Sequence, residues 1–137
     1  MLKTVILVAA LIAPAPAVAQ ALGSATPAEM ADGFFRALQN DQVDKAYKNI
    51  WDGTLMDKKR ADVENLVSQN ALALKTYGGV LGWELVSETV IAPSLVDRVY
   101  LVKTATLPLF YKIQFYRPAS RWQVTNLFFT DTYKNVE

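Results

Sequence analysis

The 137-residue chain has no cysteine and no histidine, and each absence removes a class of chemistry. Without cysteine there is no disulfide, no thiol nucleophile and no lipid-anchoring position behind the N-terminal apolar run. Without histidine there is no Ser-His-Asp or Cys-His system, no imidazole metal ligand and no neutral-pH proton shuttle. Chemistry is left to carboxylates, Lys, Arg, Tyr and Ser/Thr, and no cofactor is implied. An excess of one charge is missing too, since 14 basic side chains face 13 acidic ones. Such balance gives no electrostatic footprint for nucleic acid or for an anionic membrane surface.

Long apolar runs are also scarce. The one at the N-terminus is Thr4 to Ala13 (TVILVAALIA), behind Lys3 and ahead of Ala17-Val18-Ala19. A positive start, a short apolar stretch and a small-x-small end are the parts of a cleavable export signal. The run is shorter than the roughly 20 apolar residues that a bilayer span needs. Pro14 and Pro16 break any helix after it. Residues 1–19 are therefore expected to be a signal peptide cut between Ala19 and Gln20, with Ala19-Gln20-Ala21 as a second acceptable site. The expected location is periplasmic or secreted, with no stable membrane span after cleavage. Residues 20–25 read as a small-residue linker and 26–137 as a single domain, large enough to build a core without disulfides.

Three helices come first. Thr26-Pro27-Ala28-Glu29 has the form of a capping box with proline at the first helical position. Met30, Phe34 and Leu38 then repeat at helical spacing, with Ala31 and Phe35 beside them, up to about Asn40. Asp41 is expected to cap a second helix, Gln42 to Trp51, ended by Asp52-Gly53. A third is expected from Asp57 to Tyr77, stopped by Gly78-Gly79, with Val63, Leu66, Val67, Asn70, Ala71 and Leu74 as its buried stripe. If buried there, Asn70 needs partners, and it either bonds a strand backbone or points into a pocket. Lys58-Lys59-Arg60 at its start reads as a solvated first turn or as an anion or partner contact.

Strand patterns follow. They are Trp83–Ile91, Val96–Ala105, Leu109–Arg117 and Arg121–Thr130, separated by short Pro- and Ser-containing gaps. Short gaps favour an antiparallel meander. Helices first and strands afterwards predict an α+β fold, with three N-terminal helices packed on a curved four-stranded antiparallel sheet. A bulge near Thr125-Asn126 would bring Trp122, Val124, Leu127 and Phe129 to one face; without it, large apolar residues face both sides of the strand.

Three segments carry a resemblance. They are Phe34-Phe35-Arg36-Ala37-Leu38-Gln39-Asn40-Asp41 with Ala46-Tyr47, Tyr77-Gly78-Gly79 with Gly82-Trp83-Glu84-Leu85-Val86, and Phe115-Tyr116-Arg117-Pro118 with Trp122-Gln123-Val124. In this order the chain resembles the nuclear transport factor 2-like and ketosteroid-isomerase-like superfamily of cystatin-like cones, and within it small exported bacterial members. The resemblance implies a pocket between helices and sheet and, in many members, a homodimer through the sheet. It implies no particular activity, because no Asp-Arg or Tyr-Asp-His set of the superfamily is matched here.

Tyr47, Trp51, Trp83, Tyr100, Tyr116 and Trp122 are the candidate ligand-binding residues, with plain core as the competing reading of each. Asp44 and Tyr47 lie three apart on the second helix and could supply the carboxylate and hydroxyl of a metal-free lyase or isomerase. Asp97 and Arg98 point to opposite faces of their strand, which argues against a catalytic pair. Val99 and Leu101 on the second strand read either as scattered surface apolars or as the seam of a sheet-to-sheet homodimer. A non-catalytic domain that binds a small apolar ligand or a protein partner is the function expected. The metal-free enzyme and a structural homodimer are the alternatives.

Overall fold

The computed structural model describes residues 25–137. The expected signal peptide, its cut between Ala19 and Gln20 or after Ala21, and the linker up to residue 24 lie outside the described residues.

Helix α1 spans Pro27–Gln39, and the Thr26 hydroxyl accepts the Glu29 N–H at 3.2 Å, as the capping residues predict. Its stripe of Ala31, Phe34, Phe35 and Leu38 is buried. Asp41 does not cap the next helix. It takes a left-handed conformation at φ 59 and turns the chain so that the Gln42 N–H reaches the Ala37 carbonyl at 2.9 Å. A short polar side chain tolerates that conformation better than most. Helix α2 therefore runs Val43–Ile50, without a side-chain cap.

The third helix also starts later than expected. Leu55–Lys58 forms a 3-10 turn, Lys59 breaks it, and α3 runs Arg60–Tyr77. The basic triplet thus straddles the break. On α3, Asn70 and Leu74 are buried and Val63, Leu66 and Val67 half-buried, while Ala71 is exposed and Ala73 takes its expected place. Gly78 ends the helix at φ 99, and a Cβ there would lie 2.8 Å from the Ala105 Cβ. Conformation and close approach both require glycine at this position.

Strands β1 (Val80–Ala92), β2 (Leu95–Thr104), β3 (Leu109–Tyr116) and β4 (Gln123–Thr130) form one open antiparallel sheet in the order β1-β2-β3-β4. The fold is α+β, with its helices N-terminal to its strands. Tyr100 and Val102 of β2, Leu109, Tyr111, Ile113 and Phe115 of β3, and Val124 and Leu127 of β4 join the helix stripes in one core. Gln114 pairs with Asn126 but Phe115 with Val124, so Thr125 is the extra residue of a bulge. Val124 and Leu127 consequently share the helix-facing side, with Trp122 and Phe129 packed against the same core. Strand β1 carries three irregularities in its pairing with β2, at Val80–Gly82, Leu85–Ser87 and Val90–Ala92.

Val99 points away from the helices and is only 5% exposed within a single chain. Its burial needs no second copy, and Leu101 beside it is half-buried. The outer face is also partly covered at one end, where Tyr133 packs against Phe110 with ring centroids 5.3 Å apart. Among the described residues no helix is long and apolar enough to cross a membrane.

Candidate functional site

Aromatic rings fill the space between helices and sheet. Phe35 meets Tyr100 at 5.0 Å, Tyr111 at 5.3 Å and Trp83 at 5.8 Å, and Phe34 meets Tyr47 at 5.1 Å. Edge-on and tilted contacts of this kind are how rings pack closely.

One polar chain crosses this core. Tyr47 donates its hydroxyl hydrogen to Asn70 Oδ1, and Asn70 Nδ2 donates to the Tyr111 hydroxyl, both at 2.7 Å. Asn70 therefore bonds two tyrosine side chains and no strand backbone. It ties α2 to β3 through α3. Burial pushes both tyrosines up, aided at Tyr47 by the neighbouring Tyr111 and opposed at Tyr111 by the Asn70 donor.

An alkaline limit follows from that burial. Below the ordinary tyrosine value of 10.0, both hydroxyls are protonated folded or unfolded, and their contribution is complete. Above it the unfolded chain ionises while the fold still holds its protons, so stability falls. Two such groups should lower it by about 3 kcal/mol between pH 9 and pH 11. Urea midpoints at the two pH values measure this, and equal midpoints would refute it.

The six candidate residues do not surround one pocket. Trp83 and Tyr100 lie beside Phe35, with the Trp83 Nε1 donating to Asp32 at 2.9 Å. Trp122 packs on the core under the Arg117 guanidinium, 4.8 Å from its ring centre. Tyr116 lines a groove with Leu55 and Met56 at the far end of the sheet. Only Tyr47 and Trp51 come together, on α2. Asp44 and Tyr47 border the same cleft, but the Tyr47 hydroxyl is committed to Asn70 and Asp44 is exposed.

Arg98 and Asp97 do point to opposite faces. Arg98 pairs with Glu88 at 2.9 Å on the helix-facing side, and Asp97 accepts from Gln114 Nε2 at 3.0 Å on the other. On the helix-facing side, Tyr100 Oη and Arg98 Nε are buried without hydrogen-bond partners.

Tyr47 and Trp51 line a cleft of about 330 Å³ between α2 and α3. Asp44 and Lys48 enter from α2, Asp57 from the 3-10 turn, and Arg60, Val63, Glu64 and Val67 from α3. Trp51 is 2% exposed, and its Nε1–H has no acceptor in the protein. An unmet buried donor costs about 1–3 kcal/mol, and this one is sealed from the open part of the cleft. Sequence reasoning did not place Asp57, Arg60 and Glu64 in a common site. Arg60 alone carried a signal, as part of the basic triplet.

No family model matches the chain, and no curated protein or solved structure matches it either.

Proposed function

We propose that the chain is an exported, non-catalytic binding domain of the nuclear transport factor 2-like type, with its small-molecule site in the α2–α3 cleft. One observation carries this reading: of the candidate residues, Tyr47 and Trp51 border one cleft of about 330 Å³, with Val63 and Val67 on its opposite wall. Helices packed on an open antiparallel sheet agree with the superfamily, and the Thr125 bulge favours a curved, cone-like sheet. A ring-filled core moves the ligand from the interior to the helix surface. The commitment of Tyr47 to Asn70, and the exposure of Asp44, count against isomerase or lyase chemistry.

Indole N–H resonances test the site directly, since the chain has three tryptophans. The Trp51 signal, assigned by its loss in Trp51→Phe, should move when mixtures of small metabolites are added. Trp83 and Trp122 should stay. A fixed Trp51 signal, with either of the others moving, would overturn the assignment.

A further inference from the structure

The sheet ends in two edge strands of different character, β1 and β4. β1 carries exposed Glu84 and Glu88 and three irregularities in its pairing. β4 reads Gln123-Val124-Thr125-Asn126-Leu127-Phe128-Phe129-Thr130, with no charged residue and no proline. Its one irregularity is the bulge at Thr125, and from Asn126 to Thr130 its register with β3 is continuous. Charge, proline and irregularity are the means by which an edge refuses another strand. β1 has two of the three, and β4 from Asn126 onward has none. β4 is laddered to β3 on one side, and among the described residues its backbone bonds no other element. A row of main-chain donors and acceptors therefore lies open along an uncharged strand. Beside that row, Leu127 is buried and Phe128 and Phe129 are half-buried. Gln123, Val124 and Thr125 also border an apolar groove of about 510 Å³, walled by Leu55, Met56 and Tyr116.

We infer that β4 receives an extended, uncharged peptide segment of a partner protein as a fifth strand. The main chain of that segment completes the open row, which is the source of affinity when a strand is added to a sheet edge. Its side chains alternate between the two faces, so β-branched or aromatic residues meet Phe129 on the helix side and Phe128 on the other. One end reaches the groove, where Leu55 is 78% exposed and offers apolar surface to cover. This edge is separate from the α2–α3 cleft, and neither site depends on the other.

Two synthetic peptides test this by amide hydrogen exchange and titration. The first alternates valine and threonine, with a lysine at each end for solubility. The second is the same peptide methylated on every backbone nitrogen between the lysines, so it keeps the side chains and loses the main-chain donors. The first should slow exchange at β4 amides between Asn126 and Thr130 and leave those of β1 unchanged. The second should bind at least about tenfold more weakly, the loss of about two main-chain hydrogen bonds. Equal binding of the two peptides, protection on β1 in place of β4, or no binding of the first would each overturn the proposal. Sedimentation of the chain alone checks the competing occupant. A concentration-dependent dimer that protects the same β4 amides would assign the edge to a second copy and overturn the partner peptide.

Discussion

Replacing Phe35 by alanine is expected to destabilise the fold by about 3–5 kcal/mol, the range for emptying a fully buried ring site. Phe35 is 0% exposed, and its ring touches those of Phe34, Trp83, Tyr100 and Tyr111. Those partners sit on α1, β1, β2 and β3, so none can collapse into the void without disturbing another. The loss is a large fraction of the roughly 5–15 kcal/mol that holds a domain together. Urea unfolding followed by tryptophan fluorescence measures it, and Phe35→Leu should lose less than half as much. A Phe35→Ala change below about 1 kcal/mol would mean that the interior already holds slack. The ring-filled core would then be wrong, and an internal ligand site would return.

Asn70→Leu is the second large expectation. The substitution removes both hydrogen bonds and leaves the Tyr47 and Tyr111 hydroxyls buried and unmet. At about 1–3 kcal/mol for each of the two stranded groups, the loss should be about 2–6 kcal/mol. Adding Tyr47→Phe and Tyr111→Phe removes the stranded groups, and the triple variant should recover most of that loss. Denaturant midpoints of the single and triple variants decide between polar stranding and simple misfit of leucine. If the triple variant is no better than the single one, the network contributes shape and not hydrogen bonding.

Most of the fold was legible in local chemistry. Thr26-Pro27-Ala28-Glu29 marked the start of α1, Gly78-Gly79 marked the end of α3, and the four strands fall close to their expected spans. Parity left two cases for the last strand, a bulge near Thr125-Asn126 or apolar residues on both faces, and the pairing shows the bulge at Thr125. What failed was conformational detail that side-chain type leaves open. Asp41 suits both an N-cap and a left-handed turn, and the backbone of α1 chose the second. The break at Lys59 has no proline or glycine to announce it.

The candidate site was less legible for a different reason. Tyr and Trp carry an apolar body and a polar tip, so spacing shows that they face inward but not whether they meet rings or open space. Trp83 and Tyr100 met rings, Tyr116 met a groove, and only Tyr47 and Trp51 reached the same cleft. The charged half of that cleft depends on how α2 and α3 lie against each other, which no single-segment pattern encodes.

The three pairing irregularities of β1 have a consequence beyond the shape of the sheet. β1 is an edge, and Leu85, Val86, Val90 and Ile91 on it are exposed. A straight strand with that composition would be a template on which a second chain could add a ladder, and a third after it. Each irregularity breaks the regular row of backbone donors and acceptors that such copying requires. With no lysine or proline along the strand, these kinks, together with the exposed Glu84 and Glu88, guard it against growing into a fibre.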